Sequence, residues 1–327
     1  MSKSYGADWS VKLKLEIKTD FLQLNEKGLY CPYGEFYLDA QRAVDKVVVS
    51  HGHGDHIVAG CREIFSTVPT RFFMEHRFGK NAGKHFHTFP YGKEFLIKEV
   101  ALTFFPAGHI LGSALVLMVY QGTRYLYSGD YKLQSDETCE AIQLVKADVF
   151  ITESTFASPS VKHPDAIQEI KKLNAINHPI LLGAYALGKA QRLTALIHTH
   201  CPDKQVLIHH AILPFHKLYD QLGALHWNYL PYNRKLMKDN PNRSIYIVPP
   251  LTFNSYIKAK NVIRVFASGW ARLQKGNQLA LFISDHVDWD DIIATVTWVE
   301  PKEIWTLHGD GSALQDYYNT IIPVKQL

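Results

Sequence analysis

Residues 50–60 read Ser50-His51-Gly52-His53-Gly54-Asp55-His56-Ile57-Val58-Ala59-Gly60, directly after the apolar run Lys46-Val47-Val48-Val49. Such a run reads as a central strand, so the polar residues fall on the turn that leaves its end. Histidines at i and i+2 on a short turn can place two imidazoles on one metal ion. Asp55 and His56 then point to a second centre beside it. A hard carboxylate among imidazoles suits zinc or manganese. His85-Phe86-His87 is a lone H-x-H with no such context and is read as an ordinary strand or loop pair.

A dinuclear site needs more ligands than one loop holds, so isolated His and Asp residues should stand at other strand ends. His109 follows an apolar strand in Pro106-Ala107-Gly108-His109, and Asp130 follows another in Tyr127-Ser128-Gly129-Asp130. His308 sits in Leu307-His308-Gly309-Asp310 near the C-terminus. In this order the three complete two metal shells.

The surrounding chain is that of a globular protein. It has 327 residues, 46% hydrophobic and 20% charged, which excludes a disordered tail, a collagen-like repeat and a coiled coil. Length alone predicts about two domains at roughly 150 residues each. The longest strongly apolar stretch, Ala114–Tyr120, is too short to span a membrane, and the N-terminal residues lack a secretory signal, so a soluble, cytoplasmic protein is expected. The four cysteines form no C-x-x-C pair and read as reduced thiols. Thirty-five basic against 31 acidic residues fit an anionic partner without establishing one.

The first 130 residues read as closely spaced strands, beginning with the alternating run Val11–Lys18. Beyond about residue 148 strands alternate with helices, which predicts a parallel sheet with covering helices. Ile167, Ile170, Leu173 and Ile176 mark one helix face, stopped by Pro179. The segment His226–Arg243, rich in Asn, Pro, Tyr and Lys, reads as a surface excursion. Its Trp227, Tyr229, Tyr232, Arg234 and Lys235 could stack bases and contact a backbone, or be plain surface.

With these residues the chain resembles the metallo-β-lactamase superfamily. The resemblance implies that His51, His53 and His109 bind one metal, that Asp55, His56 and His308 bind the other, and that Asp130 bridges them. Asp39, in Phe36-Tyr37-Leu38-Asp39, matches the acidic residue that supports the metal loop from behind. Three further stretches resemble the β-CASP nuclease group. They are Thr152-Glu153-Ser154-Thr155-Phe156, the run from Gly183 through Ala186-Leu187-Gly188-Lys189-Ala190-Gln191-Arg192 to Leu193, and Ser284-Asp285-His286-Val287-Asp288.

That resemblance implies a mixed α/β fold, a four-layer αββα metallo-β-lactamase sandwich with a short inserted β-CASP-like α/β domain. The expected division is residues 1–179 for the first part of the core, 180–279 for the insert and 280–327 for the return segment. Two divalent ions, zinc or manganese, would activate water and stabilise an in-line phosphoryl displacement. Asp55, Glu153 and His286 are the catalytic set, with His286 as general acid and Glu153 raising its pKa. Gly188, Lys189 and Arg192, at a helix start, are expected to contact phosphate, along with Ser113 and Lys132. The bland alternative is a helix packed on a sheet.

The 133 residues from Glu153 to His286 leave room for only a compact insert, which resembles bacterial ligase-associated DNA exonucleases, sometimes described as mRNA 3′-end processing factors. His308 is typical of the RNA branch, so the two cues conflict; the format is weighted more. The expectation is a DNA exonuclease working on single-stranded ends in repair, with a DNA ligase or helicase partner by resemblance and no membrane. The alternatives are an RNA-processing nuclease, a thioester or lactone hydrolase, and a nucleic-acid-binding scaffold without catalysis.

Overall fold

The computed structural model describes residues 16–224, 227–309 and 311–327. The chain first lays down a six-stranded sheet in sequential order: β1 (Gln23–Asn25), β2 (Gly28–Cys31), β3 (Phe36–Leu38), β4 (Lys46–Val48), β5 (Cys61–Ser66) and β6 (Gly83–Thr88). Helix α1 (Val68–Phe78) leaves β5, with Thr67 as N-cap and Pro69 in its first turn. A second sheet begins with β7 (Glu94–Ile97), β8 (Val100–Pro106), β9 (Ala114–Tyr120), β10 (Thr123–Tyr127) and β11 (Val149–Glu153).

After α2 (Ala166–Lys171) the chain builds a third sheet from β12 (Ile180–Gly183), β13 (Gln205–Ile208), β14 (Tyr229–Pro231), β15 (Ser244–Val248), β16 (Ile263–Ala267) and β17 (Leu279–Leu281). Its pairings are all parallel, in the order β14-β13-β15-β12-β16-β17. Helices α3 (Lys189–His200), α4 (Leu213–Gln221), α5 (Arg234–Asp239) and α6 (Pro250–Ser255) supply the crossovers that parallel strands require. The chain then returns through α7 (Trp289–Val299), β18 (Glu303–Leu307), α8 (Ser312–Tyr318) and β19 (Val324–Gln326), which completes the second sheet in the order β19-β18-β11-β10-β9-β8-β7.

The layers follow from which faces are apolar. Phe36, Leu38 and Val48 of the first sheet pack against Leu102, Val116, Tyr125 and Ile151 of the second. The outer face of the first sheet buries Val47 and Ile64 against Met74 of α1. Leu117, Leu126 and Phe150 on the outer face of the second meet Ile292 and Val296 of α7 and Leu314 of α8. This is the helix–sheet–sheet–helix order expected. The third sheet is covered by α2 and α3 on one face, through Ile170, Leu193 and Ile197, and by Leu236, Met237 and Phe253 of α5 and α6 on the other. Phe73 of α1 joins Leu187, Phe215 and Tyr219 in one buried cluster that binds the third unit to the first.

Three expectations change. Residues 11–15 of the Val11–Lys18 run lie outside the described residues, and residues 16–18 form no strand. The 167–176 face is one short α-helix continued by a 3₁₀ turn over Lys172–Ala175, with Ile167 exposed. Apolar residues spaced by three throughout match the 3.0-residue turn better than the 3.6-residue one. The 226–243 excursion, of which His226 lies outside the described residues, contains β14 and α5. Trp227 is buried against Phe215 and Tyr219, so it is packing and offers no face to a base. Among the described residues no helix is long and apolar enough to cross a membrane.

Candidate metal centre

Each ligand candidate leaves the end of a strand. His51, His53 and His56 follow β4, His109 stands in the β8–β9 connection, Asp130 follows β10, and His308 follows β18. Strands β10, β11 and β18 run parallel, with Tyr127 opposite Ile151 and Glu153 opposite Leu307, so their ends open on the same edge.

His53 Nδ1 lies 3.1 Å from His51 Nε2 and 3.0 Å from His109 Nε2. Asp130 Oδ2 is 3.5 Å from His51 Nε2, 3.7 Å from His109 Nε2 and 3.4 Å from His56 Nε2. Thus one carboxylate oxygen stands between the His51–His53–His109 cluster and His56, where a bridging ligand would stand.

The far nitrogen of each ring is held by an acceptor. His53 Nε2–H donates to Leu187 O at 3.0 Å and His109 Nδ1–H to Asp285 O at 2.7 Å. His51 Nδ1–H reaches Ser50 Oγ at 3.0 Å, and that hydroxyl donates to Asp39 Oδ2 at 2.6 Å. His56 Nδ1–H donates to Asp39 Oδ2 at 2.8 Å, and Tyr127 OH to the same oxygen at 2.9 Å. With protons fixed outward, the inward nitrogens of His51, His53 and His109 present lone pairs to one point, an arrangement that repels unless a cation sits there. Burial holds His51 and His109 well below the usual imidazole pKa and lowers His53, so all three are neutral, as metal ligands must be. Burial also opposes charge on Asp130, but His56 and His286 keep it ionised, well below the carboxylate range. The donor set therefore fits divalent cations.

Asp39 and His308 both have left-handed backbone conformations, with φ of 44° and 55°. At Asp39 the four groups on its carboxylate hold that geometry in place. The outer half of the centre is more open. Asp55 has an 80% exposed side chain whose Oδ2 is 3.9 Å from His56 Nε2, and the exposed His308 ring is centred 5.4 Å from that of His56.

Glu153 and His286 meet across the cleft. His286 Nδ1–H lies 2.9 Å from Glu153 Oε2 and 3.1 Å from Oε1, and 3.9 Å from Asp130 Oδ2. Burial lowers the charged ring's stability, but Glu153 and Asp130 outweigh it and raise the pKa to about 9. The ring is 28% exposed, which leaves Nε2 as the nitrogen that can serve a bound molecule.

The expected phosphate contacts are corrected. Lys132, Lys189 and Arg192 are buried and committed to carboxylates. Asp285 receives Arg192 Nη1 at 2.9 Å, Lys189 Nζ at 3.0 Å and Lys132 Nζ at 3.8 Å, while Asp136 receives Lys132 Nζ at 2.5 Å and Arg192 Nε at 3.5 Å. Burial pushes Lys189 down to about 8 even beside Asp285. Lys189 Nζ and Arg192 Nη1 also donate to Ile283 O and Ser284 O, so this network fixes the segment that carries His286. Ser113 Oγ accepts from the N–H groups of His109 and Ile110 and closes their turn. Gly188 has φ +80°, and a Cβ there would lie 2.2 Å from Ile110 Cγ2 and 3.6 Å from His53 Nε2. It is a point of close approach.

The centre opens into a cleft of about 410 Å³. Sequence reasoning missed four of its wall residues, Arg77, Ser268, Gly269 and Trp270. Tyr185 and Trp270 follow the adjacent parallel strands β12 and β16, at the C-terminal edge where ligands bind in such sheets. That register is a tertiary fact with no local signal.

Comparison with known proteins agrees with this geometry. A family profile described as a β-lactamase superfamily domain matches residues 21–210. A probable DNA ligase of Opitutus terrae is 30% identical over 301 residues, covering 86% of this chain and 28% of that protein. An RNase J-like protein of Methanocaldococcus jannaschii is 28% identical over 201 residues, covering 53% and 48%, and endoribonuclease YSH1 of Gibberella zeae is 28% identical over 207 residues, covering 50% and 24%. The chain thus spans between about a quarter and a half of the length of these curated relatives. A crystal structure of a protein of unknown function from Enterococcus faecalis V583 superposes with a TM-score of 0.60 at 12% identity, covering 86% of this chain and 78% of that one; it shares the fold.

Proposed function

This chain belongs to the β-lactamase superfamily and, within it, to the β-CASP group, and from that premise we propose that it is a metal-dependent phosphodiesterase cleaving DNA from single-stranded ends. The observation that carries this reading is the Glu153–His286 pair facing Asp130 in the same cleft as the three convergent imidazoles. A thioester or lactone hydrolase has no reason to carry Glu153, His286 and the 186–192 stretch together.

His51, His53 and His109 would hold one divalent ion and Asp55, His56 and His308 the other, with Asp130 shared and zinc or manganese as the ions. Bound there, such ions supply Lewis-acid stabilisation of charge on the phosphoryl oxygens. The chain's own residues do the rest. Asp39 and Ser50 hold His51 and His56 in place. His286 donates its Nε2 proton to the leaving oxygen as the P–O bond breaks, the attacking water forms the new P–O bond and gives up one proton to solvent, and solvent restores the ring proton. Glu153 orients that ring and keeps it charged until transfer.

DNA is favoured because the relative matched over most of the chain is named a DNA ligase, which also makes a ligase the natural functional partner. The RNA-processing reading rests on relatives named endoribonuclease and RNase J-like, matched over about half of the chain. We place the activity in the cytoplasm and the inserted domain at residues 180–279. The test is cleavage of matched single-stranded DNA and RNA, each end-labelled in turn, with manganese or zinc and with Asp130→Ala alongside. Loss of DNA that vanishes in the variant supports the reading. Preference for RNA moves the substrate, and equal turnover by Asp130→Ala overturns the metal-dependent assignment.

A further inference from the structure

The cations expected at the phosphate path are sealed inside, so a strand entering the cleft must find its positive charge elsewhere. Of the two Lys or Arg residues on the cleft wall among the described residues, Lys189 is already paired with Asp285. Arg77, in the last turn of α1, is exposed and makes no ion pair or hydrogen bond among the described residues. Its guanidinium lies over the metal loop. A Cβ on Gly54, between His53 and Asp55, would stand 3.0 Å from Arg77 Nη1. Elsewhere on the cleft wall, Phe156 lies 6.0 Å from the His286 ring and 4.5 Å from Trp270.

The cleft therefore has an unpaired guanidinium over the metal loop and, elsewhere on its wall, the half-buried Trp270. We propose that Arg77 is the phosphate clamp of this site, binding the phosphodiester next to the scissile one on the side that keeps the phosphate after cleavage. The proposal rests on the nuclease reading. The departing hydroxyl leaves beside its proton donor, His286, and the proposal assigns Arg77 to the other, phosphate-retaining side. A guanidinium is suited to this because its planar fork meets two phosphoryl oxygens at once, and it remains charged across the working pH range.

The experiment compares wild type, Arg77→Ala and Arg77→Lys on single-stranded DNA carrying one neutral methylphosphonate, moved one linkage at a time. Wild type should show a KM about ten-fold higher when the neutral linkage is the one beside the scissile bond on the retained side. Arg77→Ala should show that loss on unmodified DNA, no further loss at that linkage, kcat within about two-fold, and normal metal content; Arg77→Lys should fall between. The slope of log affinity against log salt should fall by about 0.7 in the alanine variant. Unchanged KM and salt slope in Arg77→Ala, with wild type cleaving, would overturn the clamp alone. So would loss of metal, which would make Arg77 a support for Asp55. A wild type that neither binds nor cleaves DNA overturns the nuclease reading itself, and the clamp with it, before any variant is compared.

Discussion

The carbonyl oxygen of Leu187 accepts the Nε2–H of His53 at 3.0 Å, across 134 residues of sequence. One unit of the protein thereby sets the tautomer of a metal-ligand candidate in another. The contact exists because Gly188, at φ +80°, lets the loop after β12 lie against Ile110.

Gly188→Ala should disturb that contact twice. Its backbone conformation disfavours an L side chain, and the added Cβ meets Ile110. With His53 released from its carbonyl, zinc affinity measured by competition with a chromophoric chelator should fall about 10- to 100-fold. Unchanged affinity in a folded variant would show that the Leu187 carbonyl has no hold on the metal site.

Glu153→Gln keeps the size of the side chain and removes the charge that holds His286 at about 9. A general acid works while protonated, so activity is present below its pKa and lost as pH rises through it. The alkaline limb of kcat against pH should therefore move to lower pH, by about one unit. A limb that stays in place would remove His286 from that role.

Asp285 neutralises Lys189 and Arg192, and its backbone carbonyl holds His109. Asp285→Ala leaves buried cations short of a partner, a change that costs about 3–5 kcal/mol. Urea unfolding should show a lower midpoint with a nearly unchanged slope. A variant as stable as wild type would mean that water reaches this cluster.

Asp291, in the first turn of α7, has its carboxyl raised to about 6, chiefly by burial and then by Asp288. A carboxyl raised on folding favours the native state when protonated, so its contribution is present below the unfolded pKa and is lost as pH rises through about 6. Asp291→Asn removes that loss and should raise Tm at pH 8 while leaving it nearly unchanged at pH 4. Equal shifts at both pH values would point to packing.

The strands and the ligand candidates were legible because each is announced locally. Ala114–Tyr120 and residues 149–151 are apolar runs that read as buried strands. His51, His53, His109 and Asp130 follow such runs at once, and the structure gathers their ligand atoms within 4.8 Å. Glu153 and His286, far apart in sequence, stood out only through resemblance; the hydrogen bond between them is a product of packing.

What the sequence by itself determined is therefore the fold class and the identity of residues whose side chains carry recognisable chemistry at strand ends. What only the tertiary structure decided is which charges remain available. Lys132, Lys189 and Arg192 look like phosphate ligands in the chain, but burial forces each to take a carboxylate partner, because an unpaired charge away from water is too costly to keep. Arg77 and Trp270 carry no local signal and reach the cleft through a helix end and a parallel strand register. Spacing along a chain records local geometry; desolvation and pairing depend on neighbours that only the folded chain brings together.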